Sequence, residues 1–177
     1  VWKKTNELFD KNRVEKSLES GIRRTHEYIL VCFKDRENTA LKLINQPKCT
    51  GQGFVEEKKP LETIVDFLGT TSSAKDELGD LFGDRKVFST PKPTKLIKEL
   101  VRSASDNNSI VLDFFAGSGT TGHAVMDLNK EDNGQRKFIL ITNNESDICR
   151  KVTIPRIEKA IAKFGYNETF EVVTYNE

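Results

Sequence analysis

Cysteine and histidine are scarce and scattered in this sequence. Three cysteines, Cys32, Cys49 and Cys149, stand far apart with no C-x-x-C pair, and only two histidines, His26 and His123, are there to join them. Neither a zinc cluster nor a disulfide framework is indicated, and no metal site is expected. With no nucleophile or metal cluster beside them, the two histidines read as structural or exposed rather than catalytic. An excess of one charge is also missing, since 28 Lys and Arg face 27 Asp and Glu for a net charge of +1. The chain as a whole is therefore not a basic domain. Any contact with nucleic acid has to come from local patches such as Lys92/Lys95/Lys98/Arg102 or Arg150/Lys151/Arg156/Lys159/Lys163, which read first as solvated helix faces. No apolar stretch reaches membrane length and no signal sequence is visible, so a reducing cytoplasm and no membrane partner are expected. What is there is 177 residues, enough for one domain with a real core.

The most informative run is Val111-Leu112-Asp113-Phe114-Phe115-Ala116-Gly117-Ser118-Gly119-Thr120-Thr121-Gly122. Residues 110–115 form a nearly continuous apolar strand of the kind found in a parallel sheet covered on both faces, with Asp113 as its only charge. Gly117 and Gly119 let the backbone turn sharply and let a ligand lie against it. Ser118, Thr120 and Thr121 then offer hydroxyls and amides at the first turn of a helix, where unpaired N–H groups and the helix dipole favour a carboxylate or phosphate. Ala124, Val125 and Leu128 give that helix an apolar face.

Several meanings fit such a turn. Gly117, Gly119 and Gly122 formally satisfy the dinucleotide fingerprint, which also needs an acidic residue at the end of the next strand. That strand, residues 138–141, runs into Thr142-Asn143-Asn144, with Glu145 a few places later. A phosphate-binding P-loop requires Gly-Lys before Ser or Thr, and no lysine follows Gly119 until Lys130. An ordinary strand-turn-helix without a ligand is the plainest alternative.

Two motifs together bring in a family. Asp113 to Thr121 resembles the F-x-G-x-G motif with which amino-methylating DNA methyltransferases bind S-adenosyl-L-methionine. Upstream, Phe88-Ser89-Thr90-Pro91-Lys92-Pro93-Thr94-Lys95-Leu96-Ile97 resembles the F-x-x-P-K-P-x-x-L-I segment that precedes the glycine turn in that family. Downstream, residues 136–145, then Ile148-Cys149 and Pro155-Arg156-Ile157, resemble the same region of modification subunits from type III restriction-modification systems. The likeness covers roughly residues 22–165. It implies an α/β, Rossmann-like S-adenosylmethionine-dependent methyltransferase fold, incomplete at its N-terminus. The cofactor site it implies consists of Phe88, Ser89, Thr90, Pro91, Lys92 and Pro93, then Asp113, Phe114, Phe115, Ala116, Gly117, Ser118, Gly119, Thr120 and Thr121, then Asn143, Asn144 and Glu145. Lys92 either faces the cofactor's carboxylate or is a solvated lysine. Many methyltransferases end the second strand on an acidic residue that grips the ribose. Here that place falls to Thr142, so Asn143, Asn144 or Glu145 would have to substitute, unless they are simply turn residues or serve the next helix.

The family's catalytic D-P-P-Y-like or S-P-P-Y-like tetrapeptide is absent, because no two of the five prolines are adjacent. In this class the tetrapeptide precedes the cofactor motif, so it is expected upstream of Val1. Residues 1–4 and 23–31 resemble segments that follow the catalytic loop. No catalytic residue is then expected here, and the fragment alone is expected to be inactive. In the parent, acceptors in the tetrapeptide draw out the amino lone pair of a flipped base while the methyl is transferred in line. The likeness to type III subunits points to adenine N6 rather than cytosine N4. The implied partners are double-stranded DNA and a restriction subunit, with a homodimer in the full-length protein. The alternatives are a non-catalytic cofactor-binding or interface module and an NAD-binding Rossmann domain.

The layout expected along the chain is uneven. Residues 1–35 follow the missing loop, 36–86 form a variable, target-recognition or linker region, and 87–177 bind the cofactor. Residues 3–20 read as a loop, 28–33 as a strand, and 35–53 as a stretch broken by Gln46-Pro47, Thr50-Gly51 and Gly53. Helices are expected over 60–68 and 73–82, the second closing at Gly83. Pro93 suits the first turn of a third helix, with Ser89 or Thr90 as its cap. In that helix Leu96, Ile97, Leu100, Val101 and Ala104 form one apolar stripe, with Lys95, Lys98, Glu99 and Arg102 on the other face. After the turn come a strand over 137–141, a helix from Ser146 with a break or restart at Pro155, and a run to Phe164 before Gly165. A last strand is expected over 170–174. Strand, helix, strand, helix, strand implies a parallel layer with its ligand at the carboxyl ends of the strands.

Overall fold

The computed structural model describes residues 29, 32, 35, 41–50, 52–60, 67–143 and 145–174. The chain divides into two units, Val1–Thr39 and Ala40–Glu177, and every element below belongs to the second. The segment expected over 3–20, most of the strand expected over 28–33, His26, most of the helix expected over 60–68, and Asn144 lie outside the described residues.

The stretch expected to be broken is instead a hairpin, β1 (Ile44–Thr50) against β2 (Gly53–Lys59), running antiparallel from Ile44↔Lys59 to Thr50↔Gly53. Ile44 at 0% and Gln46 at 2% exposure form its inward side, and the Gln46 amide donates to the Pro60 carbonyl. Farther along that same side Lys48 reaches Glu57 diagonally across the strands at 3.2 Å. Pro47 is tolerated because each strand of a two-stranded ribbon is an edge. The hairpin's entry is tied down where the Lys42 amide donates to the Ser103 carbonyl at 2.8 Å.

Helix α1 (Thr71–Phe82) starts on a capping box between Thr70 and Ser73 and ends on Gly83 at φ 77°. Helix α2 (Thr94–Ala104) follows. Strand β3 (Ile110–Asp113), helix α3 (Thr120–Asp132) and strand β4 (Lys137–Leu140) make a strand-helix-strand unit, with the two strands parallel and in register from Ile110↔Lys137 to Asp113↔Leu140. Ala124, Val125, Met126 and Leu128 of α3 are all fully buried. Val125 and Leu128 meet Val101 and Ile97 of α2. Met126 meets Ile157 and Ala160 of the last helix. Gly122 makes this close approach possible, since a Cβ there would lie 2.8 Å from Ile157 Cδ1 and 3.1 Å from Leu140 Cδ1.

The expectation of a strand covered on both faces does not hold among the described residues. Ile110 is 64% exposed, Leu112 45%, Ile139 49% and Ile141 45%, all on the face away from α3. Among the described residues the helices cover one face only, and the parallel sheet has two strands.

The helix expected from Ser146 is a more complicated path. A 3₁₀ turn, Glu145–Asp147, leads into a π-helical turn, Cys149–Thr153, which runs on into α4 (Ile154–Phe164). The break expected at Pro155 takes the form of a change of helix type, the π turn giving way to α4 at Ile154 with Pro155 in its first turn. The chain widens just before it, the Ile154 amide donating to the Cys149 carbonyl five residues back, so a residue with neither an N–H nor room for a preceding carbonyl is accommodated. The strand expected over 170–174 is not formed. Phe170 packs against the cluster around Met126 and Tyr166, whereas Val172 and Val173 are 50% and 65% exposed and have no strand to pair with among the described residues. No helix among the described residues is long and apolar enough to cross a membrane.

Candidate functional site

The turn between β3 and α3 is held from both ends. Asp113, at the end of β3, accepts from the Phe115 amide at 2.9 Å through Oδ1 and from the Thr121 hydroxyl at 2.6 Å through Oδ2. The Gly119 amide closes the turn on the Ala116 carbonyl at 2.7 Å. Gly117 at φ 50° and Gly119 at φ 77° both occupy the left-handed region. The start of α4 lies behind them: the Thr153 hydroxyl donates to the Gly117 carbonyl at 2.7 Å, and a Cβ on Gly119 would sit 3.2 Å from the Thr153 carbonyl oxygen.

Arg156 completes this back wall and overturns its assignment to a solvated patch, being 0% exposed. One guanidinium nitrogen donates to Ser118 Oγ at 2.9 Å and Thr120 Oγ1 at 2.8 Å, the other to Thr94 Oγ1 at 2.9 Å and to Glu77 Oε2 at 3.4 Å. Burial lowers its pKa to about 10, against the opposing pull of Glu77, which leaves it charged at neutral pH. The expectation that Ser118, Thr120 and Thr121 offer hydroxyls to a ligand is therefore corrected. Two of these hydroxyls face Arg156 and the third serves Asp113. The backbone amides at the start of α3 remain, and no side chain caps them.

The P-K-P segment lies against this turn. A Cβ on Gly117 would lie 3.5 Å from Phe88 Cζ, and the Thr120 hydroxyl donates to the Lys92 carbonyl at 3.3 Å. Neither Ser89 nor Thr90 caps α2, whose first residue is Thr94 and whose cap position is Pro93 in an extended conformation. Glu77 of α1 takes the capping role, accepting from the Thr94 amide at 3.1 Å.

Two cavities flank the turn. One, of about 370 Å³, is lined by Phe88, Thr90, Lys92, Ile97, Asp113, Phe115, Ala116, Gly117, Ser118, Thr120 and Thr121. The other, of about 780 Å³, is bounded by Val87, Phe88, Phe114, Phe115 and Gly117 on one side, by Ile141, Thr142, Asn143 and Glu145 on another, and by Ser146, Ile148, Lys151 and Val152 on the third. Phe88, Phe115 and Gly117 stand between the two. Of the residues singled out in the sequence, Ser89, Pro91, Pro93 and Gly119 line neither, and Asn144 is outside the described residues. Asn143 bends its own loop, its side-chain oxygen accepting from the Glu145 amide at 3.2 Å. Ser146 at φ 53°, which lines the larger cavity, and Asp147 at φ 61° beside it are non-glycine residues in the left-handed region.

Lys98 and Arg102 are also not a solvated face. Lys98 reaches Asp127 at 2.6 Å and Glu131 at 3.2 Å, and Arg102 reaches Glu131 at 2.8 Å and the buried Glu99 at 3.1 Å, which ties α2 to α3.

Comparison with known proteins gives the chain a family. The N6/N4 DNA methylase family matches residues 1–153. The type III restriction-modification enzyme StyLTI Mod subunit of Salmonella typhimurium is 52% identical over 114 residues, which is 64% of this chain and 16% of that protein. The EcoPI Mod subunit of Escherichia phage P1 is 37% identical over 147 residues, 83% of this chain and 21% of that one. The EcoP15I Mod subunit of Escherichia coli is 33% identical over 144 residues, 80% and 20%. The chain spans between 16% and 21% of the length of these relatives. With the matched model covering most of its residues, the chain belongs to the N6/N4 DNA methylase family.

Proposed function

We propose that this chain is the S-adenosyl-L-methionine-binding part of a type III Mod-like DNA methyltransferase with a Rossmann-like fold, acting on the exocyclic N6 of adenine. The observation that carries the proposal is the closeness of Phe88 to Gly117, where an added Cβ would lie 3.5 Å from Phe88 Cζ, so that the P-K-P segment lies against the glycine turn and both residues line the cavities on either side. A dinucleotide fingerprint by itself has no use for that segment.

The two cavities suit the two ends of the cofactor. The smaller has the uncapped amides of α3 and Lys92 on its wall, which favour the carboxylate. The larger is mostly apolar, with Phe114 and Phe115 to cover a nucleoside and Asn143 and Glu145 to accept or donate at the ribose hydroxyls. Bound across them, the cofactor supplies an electrophilic sulfonium methyl for an amino nitrogen. The chain's own residues bind and orient. Gly117 gives close approach, Phe88 walls both cavities, the exposed Phe115 offers an apolar face to the ligand, and Asp113 holds the turn rather than moving a proton. No Pro-Pro pair occurs in the 177 residues, so the acceptors for the target amino group are not among them, and methyl transfer by this chain alone is not expected. Double-stranded DNA, a restriction subunit, a second Mod subunit and the cytoplasm belong to the same proposal for the whole protein.

Calorimetric titration of the chain with S-adenosyl-L-methionine, S-adenosyl-L-homocysteine and NADH tests the assignment. Saturable binding of the first two alone is expected. Binding of NADH alone, or of no ligand, would contradict it.

A further inference from the structure

Arg156 is a fully buried cation with an incomplete set of partners. Its counter-charge, Glu77, lies 3.4 Å away with a side chain 30% exposed, and its Nε finds no hydrogen-bond partner among the described residues. It also lies past residues 1–153, those matched by the family. Stability alone does not account for such a group, because an apolar side chain of similar volume in place of a buried ion pair is often neutral or stabilising. What the guanidinium does hold is specific. It turns the Ser118 and Thr120 hydroxyls to the back of the glycine turn, and both residues also line the smaller cavity. With both hydroxyls held by the guanidinium, the amides at the start of α3, which no side chain caps, are left for a ligand, and a buried positive charge lies one side chain away.

We infer that Arg156 is a positioning residue for the cofactor site, fixing the glycine turn from behind and biasing the smaller cavity toward a carboxylate without touching the ligand. The inference rests on the cofactor assignment above and adds to it a residue that ties the glycine turn to Thr94 at the end of the P-K-P segment. It makes a claim about ligand selectivity that a scaffolding role does not. S-adenosyl-L-homocysteine carries the carboxylate. 5′-Deoxy-5′-methylthioadenosine has the same nucleoside and sulfur but lacks the aminocarboxypropyl group.

Both compounds are titrated into the chain and into Arg156→Gln and Glu77→Gln, with a thermal melt of each protein. Arg156→Gln should weaken S-adenosyl-L-homocysteine about tenfold or more, the scale of a lost interaction with a charged group, while methylthioadenosine changes less than about twofold. Glu77→Gln removes the opposing carboxylate but leaves an oxygen to accept from the Thr94 amide. It should therefore shift selectivity the other way, tightening S-adenosyl-L-homocysteine about two- to threefold. If Arg156→Gln loses its cooperative melt, Glu77→Gln decides the matter by that shift. Equal losses for both ligands in Arg156→Gln, or no change in selectivity in Glu77→Gln, would overturn the inference while leaving the cofactor assignment standing. A wild-type chain that binds neither ligand would overturn the assignment, and the inference with it.

Discussion

Alanine substitution at the two left-handed glycines should separate folding from binding. Either change places a non-glycine residue at positive φ, which costs about 1–2 kcal/mol. They differ in what the new methyl meets. At Gly117 it lies 3.5 Å from Phe88 Cζ, an ordinary contact, so strain is the whole cost, about 1–2 kcal/mol. At Gly119 it lies 3.2 Å from the Thr153 carbonyl oxygen and 3.3 Å from its methyl, so the start of α4 has to give way. That adds about 1 kcal/mol of overpacking, for a total of about 2–3 kcal/mol. At about 3 °C per kcal/mol for a unit of this size, Gly117→Ala should lower Tm by about 3–6 °C and Gly119→Ala by about 6–9 °C. Binding should rank the other way. Gly117 stands between the two cavities and Gly119 lines neither, so Gly117→Ala should weaken S-adenosyl-L-homocysteine about tenfold or more and Gly119→Ala about threefold or less. Thermal melts and calorimetry on the same preparations read both. A Gly117→Ala protein that binds normally, or one that melts lower than Gly119→Ala, would refute the reasoning.

The buried histidine sets a pH dependence. His123 stacks on Phe164 at 5.4 Å between ring centroids, its Nδ1 lacks a hydrogen-bond partner among the described residues, and burial, helped by the charge on Arg156, lowers its pKa from 6.5 to about 4. The folded pKa lies below the unfolded one, so this contribution is present above pH 6.5 and lost as pH falls toward 4. Urea unfolding at pH 7 and 4.5 should show His123→Phe losing about 2 kcal/mol less than wild type over that interval, and parallel losses would count against it. The Lys98–Asp127 pair at 2.6 Å joins α2 to α3 with side chains 20% and 36% exposed. A double-mutant cycle with Lys98→Met and Asp127→Asn should give a coupling of about 1 kcal/mol that weakens in salt, and a coupling of zero would show that the pair does not hold the helices together.

Elements whose local chemistry agrees with their place in the fold were legible in the sequence. The apolar positions of α3 and the Gly83 close of α1 are found where periodicity and breakers put them, whereas α2 begins at Thr94, just past the proline expected in its first turn. The nearness of the P-K-P segment to the glycine turn also follows from the two motifs. What stayed hidden was set by tertiary partners. The hairpin's inward side includes Gln46, a polar residue whose amide is satisfied by Pro60, so no apolar alternation marks β1. Arg156 lies on a helix with charged neighbours, and nothing in its spacing reveals that Ser118, Thr120 and Thr94 converge on it from other segments. Glu99 is 7% exposed for the same kind of reason, its carboxylate being held by Arg102. The failed strand over 170–174 shows the converse: a β-branched pair was present, but a strand needs an edge to join.

The central claim is that a cofactor lies across the glycine turn, and the measurement that addresses it most directly is a titration of ¹⁵N-labelled chain with S-adenosyl-L-homocysteine followed by amide shifts. Saturable shifts are expected at Phe88, at Gly117 to Thr121 and at Asn143 and Glu145, with the hairpin amides of β1 and β2 unmoved. Shifts centred on the hairpin, or none at saturating ligand, would contradict it.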